Sequence, residues 1–429
     1  MVDMSVIEEL RWRGMLHSAT PGAEKELAQQ GRVVYAGFDP TAPSLQVGNL
    51  VPVMLLLHFQ RHGHRPIVLV GGATGMIGDP SGKTEERNLQ SLDTIRDNVA
   101  GFRRQLRHFL DFDDPEVGAV LVDNYEWFKD MRFLAFLRDV GKHLTVNYMI
   151  AKDSVRRRME TGLSFTEFSY QLLQAYDFYR LHRDRGCTVQ VGGSDQWGNI
   201  TSGTELVRRM GGGEAHAVTC PLLTQADGSK FGKTASGEAL WLDPSMTSPY
   251  KFYQYWLNVS DEDAVKLAKT FTLLPREEIE ELRRRHEANP HERVLQRALA
   301  RDITVRVHSE EAYRSAREAS EILFGKGTVE ALRRLSGDDL QSLFDEVPRY
   351  DIPRQVVEQG VDVVSMLAEY AAVFSSKGEA RRMIAGGGLN INMRRIDEPA
   401  ARIDTSWLLS GDFVLVRKGK KNYFLLRAV

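Results

Sequence analysis

Stretches of uninterrupted apolar residues, bounded by glycine and proline, set the rhythm of the first half of this chain. Val33 and Val34 open a β-branched strand that Gly37, Pro40 and Pro43 bring to a stop. Leu50 to Phe59 is then long and apolar enough for a buried helix, with Pro52 tolerated in its first turn. Pro66-Ile67-Val68-Leu69-Val70 follows and ends on Gly71-Gly72, as a central parallel strand does. Strand, helix and strand at this spacing predict a βαβ unit. A short strand is expected over Ala119–Val122, another over Thr188–Val191, and a last one from Val218 to Thr224. Helices are expected over Leu92–Leu110, Met131–Val140 and Val146–Glu160. Ser164-Phe165-Thr166-Glu167 is a capping pattern opening a further helix, on which Tyr170, Gln174 and Asp177 share one face.

From Ser248 the pattern becomes helical, with segments ending at Leu257, Phe271, Glu287, His308 and Leu323. Residues 325–361 are poorer in pattern, contain Pro348 and Pro353, and read as a linker. From 362 a small α+β unit is expected: a helix with Arg381 and Arg382, the turn Gly386-Gly387-Gly388, a strand Leu389–Asn392, and a hairpin across residues 413–426. The expected architecture is therefore a doubly wound parallel-sheet α/β domain over residues 1–247, an all-α domain over 248–324, a linker over 325–361 and a small basic domain over 362–429.

Composition narrows the class. Apolar residues make up 42% of the 429 and charged residues 27%, as in globular proteins, and no run approaches the length of a membrane span. The net charge is -2, but from Lys377 to Val429 there are eleven Lys/Arg against five Asp/Glu, a balance of +6 that leaves -8 for the rest. A compact module so basic points to nucleic acid, through phosphate contact, with Arg381, Arg382, Arg394, Arg417, Lys418, Lys420 and Lys421 as its candidates. Cys187 and Cys220 are too few for a disulfide framework and are expected as reduced thiols in a cytoplasmic protein; no metal site is expected.

The candidate chemistry lies in loops that follow strands, where open α/β sheets bind ligands. Tyr35 to Asn49 leads from strand to helix start, a seat for phosphate. Gly75 to Lys83 is glycine-rich and carries Asp79 and Lys83. Gly192-Gly193-Ser194-Asp195 puts a carboxylate after a strand, suited to the hydroxyls of a ribose. Lys230 and Lys233 sit in a loop flanked by glycine and serine, suited to a mobile clamp on polyphosphate. The stripe of Tyr170, Gln174 and Asp177 is costly in an otherwise apolar helix unless something binds it.

Five blocks, in this order and spacing, resemble the bacterial tyrosyl-tRNA synthetases, class I aminoacyl-tRNA synthetases, over the whole chain: Tyr35–Ala42, Gly78–Lys83, Phe165–Tyr170, Gly192–Asn199 and Lys230–Thr234. The tail resembles an RNA-binding module first described in a small-subunit ribosomal protein. The resemblance implies a Rossmann-like catalytic domain with an inserted dimerisation segment, a helical anticodon-recognition domain and an RNA-binding tail. The implied reaction has two steps: the carboxylate of L-tyrosine attacks the α-phosphate of ATP, releasing pyrophosphate, and the tyrosyl group passes to the terminal adenosine of the tRNA. Positioning and charge, rather than an enzyme nucleophile, carry such a reaction. By the same resemblance Tyr35 and Asp177 would hold the phenol hydroxyl, Asp79, Tyr170 and Gln174 the ammonium, and Gln196 would face the carboxylate. Gly37, Asp39, Thr41, Gln46, Asn49, Gly193 and Asp195 would hold ATP, with Lys83 and Arg87 closing on the phosphates from one side and Lys230, Lys233 and Thr234 from the other. A homodimer and Mg2+ accompanying ATP are implied as well.

The chain departs from the family at one point: Gln46-Val47-Gly48-Asn49 replaces the usual His-x-Gly-His. Both replacements retain a neutral N–H donor and neither can become cationic, so an active enzyme is expected, with a weakened, synthetase-like tRNA-binding protein as the alternative. A nucleotidylyltransferase of the same superfamily would lack the helical region and basic tail, and Tyr35 with Asp177 suits a phenol better than the indole of tryptophan.

Overall fold

The computed structural model describes residues 4–81, 90–226, 228, 231–233, 237–323, 329–344, 347–419 and 422–429. The chain divides into two compact units, one of Met1–Asp243 with Val259–Val307, the other of Pro244–Asn258 with His308–Val429.

The first unit is built on a six-stranded sheet of β1 (Ser18–Ala19), β2 (Val33–Phe38), β3 (Arg65–Val70), β4 (Val120–Asp123), β5 (Cys187–Gly193) and β6 (His216–Cys220), in the order β1-β6-β5-β2-β3-β4. All neighbours are parallel except β1 with β6. The chain winds outward from β2 in both directions, so the sheet is doubly wound as expected, and the order reverses between β2 and β5. The loops leaving those two strands diverge there and open a crevice at the strands' carboxyl ends. β3 is buried at every position but its first, as a central parallel strand must be. Helix α1 (Leu50–Arg61) is buried over nearly all its length, which its unbroken apolar run requires. Helices α2 (Leu92–Leu106), α3 (Asp153–Thr161), α4 (Phe165–Arg185) and α5 (Trp197–Arg209) complete the surroundings of the crevice. Ser164 caps α4 by accepting from the Glu167 amide, and Gly186 ends it in the left-handed conformation.

Several boundaries differ from expectation. The helix from Leu92 stops at Leu106, the one over 146–160 is two helices, Val146–Ile150 and Asp153–Thr161, and the last strand is His216–Cys220. The division at 247/248 is not where the chain divides: helices Asp261–Phe271, Arg276–Ala288 and Val294–Val307 belong with the α/β body. Phe271 stacks on Phe231 at 5.5 Å, and the buried Arg13 guanidinium donates to the carbonyls of Lys269, Thr272 and Leu274.

In the second unit a five-stranded sheet runs β10-β9-β12-β13-β7, from β7 (Arg349–Ile352), β9 (Leu389–Ile391), β10 (Arg394–Arg395), β12 (Phe413–Lys418) and β13 (Asn422–Ala428), while β8 (Val361–Asp362) and β11 (Arg402–Ile403) pair separately. The expected linker is thus structured. It contains helices Val329–Arg334 and Gly337–Leu343, and β7 pairs in parallel with β13. Among the described residues no helix is long and apolar enough to cross a membrane. Both cysteines are free and buried, and burial pushes the Cys220 thiol up to about 12.

Candidate active site

The floor of the crevice begins at β2. The Tyr35 side chain is buried with its ring edge against Phe178, centroids 5.2 Å apart, and its hydroxyl has no hydrogen-bond partner among the described residues. Burial, and then the charge of Asp177, hold that phenol well above its usual pKa. Asp177, on α4, is equally buried; its carboxylate accepts from Asn124 Nδ2 at 3.0 Å and Trp127 Nε1 at 2.9 Å. Burial raises its pKa well above the carboxylate range, against the pull of those two donors. An unpaired hydroxyl beside a buried carboxylate is costly alone and complementary to a group that can both donate and accept, which a hydroxyl does.

One turn or two along α4 the stripe continues. Tyr170 donates its hydroxyl to Asp39 Oδ2 at 2.8 Å, and Thr74 Oγ1 donates to Asp39 Oδ1 at 2.8 Å. Asn124 Nδ2 reaches Thr74 Oγ1 at 3.0 Å, so Asp39, Thr74, Asn124 and Asp177 form one connected network. Asp79 accepts from Gln196 Nε2 at 2.6 Å, from Asn199 Nδ2 at 3.3 Å and from the Ser81 amide at 2.9 Å. Gln174 Nε2 donates to Gln196 Oε1 at 3.3 Å. Burial and then the charges of Asp39, Asp79 and Asp177 raise the Tyr170 phenol far above its usual value. The carboxylates of Asp39 and Asp79 make this part of the floor a region of negative potential suited to an ammonium group.

The rim is made differently. In the loop after β2, Asn49 Oδ1 accepts from the Gln46 amide at 2.9 Å, and the Asn49 side chain is exposed. Val47 N donates to Leu240 O and Leu242 N to Leu45 O, both at 2.9 Å, and Gln46 faces Trp241 in an antiparallel bridge. The segment that follows the lysine loop is thereby paired with the opening loop. Gly232, at φ +86°, fits against it because a Cβ there would lie 2.9 Å from Gly48 N. Lys233 lies across that hairpin from Ala239 with its side chain exposed. After β5, a Cβ on Gly193 would lie 2.6 Å from Asp195 Oδ1, so glycine there gives the carboxylate its position. Beside Asp195 opens a cavity of about 820 Å³, lined by Lys152, Arg157, Trp197 and Leu222 among others.

The structure therefore brings Tyr35, Asp79, Tyr170, Gln174, Asp177 and Gln196 to one floor, and Gln46, Asn49 and Lys233 to one rim. Asp39, which the resemblance assigns to ATP, accepts from the hydroxyls of Tyr170 and Thr74. Thr41 and Gly37 are exposed, and at Gly37 a Cβ would meet only Leu69, at 3.8 Å. Lys83, Arg87, Lys230, Thr234, Lys420 and Lys421 lie outside the described residues. In the second unit Arg381, Arg382 and Arg394 are exposed, whereas Arg417 is half-buried and Lys418 turns inward onto Glu379 at 2.8 Å. Sequence reasoning missed Thr74, Asn124, Trp127 and Asn199; a strand ending in Asp123-Asn124 was the one available signal for the second of these.

Comparison with known proteins gives concordant matches. The family model for class I tRNA synthetases (W and Y) matches residues 28–325, and that for the tyrosine–tRNA ligase SYY-like C-terminal domain matches residues 339–426. The chain is 57% identical to the tyrosine–tRNA ligase of Cytophaga hutchinsonii over 423 residues, covering 98% of this chain and 99% of that one. It is 55% identical to the tyrosine–tRNA ligase of Bacteroides thetaiotaomicron over 430 residues, covering 99% and 100%. Among solved structures, a C-terminally truncated mitochondrial tyrosyl-tRNA synthetase of Aspergillus nidulans superposes with a TM-score of 0.68 at 30% identity, covering 75% of this chain and 94% of that one.

Proposed function

The chain belongs to the class I tRNA synthetases for tryptophan and tyrosine, among the tyrosine–tRNA ligases, and from that premise we propose how its residues divide the work. The enzyme attaches tyrosine to tRNA in an ATP-dependent reaction. Tyr35 and Asp177 hold the substrate's phenol hydroxyl. Asp79, Tyr170 and Gln174 hold its ammonium, with Asp39 fixing the Tyr170 hydroxyl. Gln196, tied to both Asp79 and Gln174, orients the carboxylate toward the nucleotide. A tyrosine carboxylate oxygen forms the new bond to the α-phosphorus while the bond to the pyrophosphate oxygen breaks. The tRNA's terminal hydroxyl then attacks the carbonyl carbon and AMP leaves. Asp195 takes the ribose. Asn49 Nδ2, aimed by the Gln46 amide, donates to a phosphate oxygen, and Lys83, Arg87, Lys230, Lys233 and Thr234 neutralise the departing charge, with Mg2+ entering on ATP as part of the substrate. Gln46 lines the same rim. No observation favours the weakened alternative.

The observation that carries the amino-acid assignment is the buried Tyr35 hydroxyl, unpartnered beside a buried Asp177 whose other donors are already fixed. Pyrophosphate exchange offered each amino acid in turn tests it. Exchange with tyrosine alone is expected; exchange with tryptophan and not tyrosine overturns it.

We further propose a cytoplasmic homodimer. Large apolar side chains are exposed along one stretch, with Phe133 at 63%, Leu134 at 76% and Phe165 at 67%, and Leu137, Val146 and Met159 nearby in sequence. Monomeric proteins rarely leave so many together. Leu134→Asp with Phe165→Asp is expected to halve the mass measured by light scattering; an unchanged mass would remove this stretch as the interface. The exposed Arg381, Arg382 and Arg394 of the second unit are assigned to tRNA phosphate.

A further inference from the structure

Helix α2 carries a second polar stripe that none of the roles above uses. Asn98, Gly101 and Gln105 fall at i, i+3 and i+7, on one face. That face meets the backbone of the loop after β2. Asn98 Nδ2 donates to Pro40 O at 2.8 Å and to Gln90 Oε1 at 3.4 Å, and Gln90 Nε2 in turn donates to Thr41 O at 2.9 Å. Gln105 Oε1 accepts from the Leu45 amide at 2.8 Å, while its Nε2 donates to Ser44 Oγ at 2.9 Å. Between them the helix has no side chain: a Cβ on Gly101 would lie 2.1 Å from Pro43 O. One helix thus grips the loop at successive backbone groups, and two prolines deprive that loop of N–H groups with which to brace itself.

The grip extends further. Ser44 Oγ, held by Gln105, also accepts from the Asp243 amide at 3.1 Å. Asp243 ends the segment Leu240–Leu242 that pairs with Leu45 and Val47. Through Ser44, Gln105 bonds both the opening loop and the segment behind the lysine loop.

We infer that α2 is the frame of the nucleotide half-site, with Gln105 and Asn98 as positioning residues that set Gln46, Asn49 and Lys233 against ATP. The inference rests on the ligase reading above. Loops placed by such bonds shift when the bonds are lost, and a displacement of about 1 Å at a reacting group costs about 10²-fold in rate. Among the described residues Gln105 bonds to Leu45 and Ser44 and to no residue of the floor, so its removal separates the two half-sites.

The test measures incorporation of labelled pyrophosphate into ATP, together with tyrosine affinity by titration calorimetry and the thermal midpoint. Gln105→Met, nearly the same shape without either hydrogen bond, is expected to lower the exchange kcat about 10- to 100-fold with tyrosine affinity within twofold. Gln105→Glu keeps the acceptor for Leu45 N and should recover part of the loss. Gly101→Ala, which pushes on Pro43 directly, should fall with Gln105→Met, and these two other variants carry the test if Gln105→Met does not fold. Exchange within threefold of the unmodified enzyme in the folded variants overturns the inference, as does a loss of tyrosine affinity that matches the loss of kcat. Absence of exchange in the unmodified enzyme would instead overturn the ligase reading.

Discussion

On the proposed assignment, the floor and the rim of the crevice answer two different recognition problems. The floor is a web of side-chain hydrogen bonds between buried groups, running Asp39–Thr74–Asn124–Asp177, with Trp127 and Tyr170 attached. The rim is backbone paired with backbone, made possible by Gly232 and left exposed at Asn49 and Lys233. A phenol differs from a benzene ring by one hydroxyl, so telling them apart needs rigid, desolvated partners that suffer when left unpaired. A triphosphate must enter, react and leave, so exposed charged partners at the edge of a crevice suit it better than buried ones. The difference teaches that selectivity and catalytic charge are separable here and should respond to different substitutions.

Asp177→Ala should have the largest effect. It strands Asn124, Trp127 and the substrate hydroxyl together, and kcat/KM for tyrosine is expected to fall by 10³-fold or more. Steady-state exchange kinetics check this; a loss under tenfold would mean the floor is not the receptor. On the rim, Asn49→Ala removes one aimed donor. A fall in kcat on the order of 10² is expected with the tyrosine KM unchanged. A change in tyrosine KM equal to that in kcat would erase the distinction between the two regions. Tyr35→Phe sharpens it from the other side. Losing one hydrogen bond should cost about tenfold in kcat/KM for tyrosine, yet the free enzyme should melt no lower, because the hydroxyl removed has no partner among the described residues. A marked drop in melting temperature would show that the hydroxyl contributes to the fold.

The smallest effect on activity lies outside both regions. His64 is buried edge-on to Phe59, and burial pushes its imidazole down to about 4 from 6.5. The unfolded chain therefore binds a proton that the folded one refuses. Stability from this group is complete above pH 6.5 and is lost as pH falls from 6.5 to 4, by roughly 2–3 kcal/mol. Denaturant unfolding at pH 7 and 5 should show the loss, and His64→Phe should flatten it; equal slopes in both proteins would contradict this.

The two regions were also unequally legible in the sequence. The parallel strands and α1 were readable because unbroken apolar runs bounded by glycine admit few other readings. The stripe on α4 was readable because Tyr170, Gln174 and Asp177 lie on one helix, where spacing is geometry. Thr74, Asn124 and Trp127 were not, because they reach Asp177 and Asp39 from the segments that follow β3 and β4, and only the order of strands in the sheet brings those segments together. Asp39 was legible as a ligand-loop residue but not in its direction, since its hydroxyl partners stand 35 and 131 residues away. The change of composition at 248 marks a change of secondary structure. It says nothing of Phe271 stacking on Phe231, which keeps the helices from Asp261 with the body. Residues 349–352 read as hinge because Pro348 and Pro353 flank them, yet prolines at the ends of an edge strand cost no ladder bonds.

The central claim is that a hydroxyl-seeking floor selects the amino acid and a charged rim activates it. Pyrophosphate exchange with tyrosine and with phenylalanine, compared as kcat/KM in one preparation, tests it most directly. Brisk exchange with tyrosine and a preference of about 10⁵, the established figure for this type of synthetase, are expected. Phenylalanine within tenfold of tyrosine, or no exchange with tyrosine at all, would contradict it.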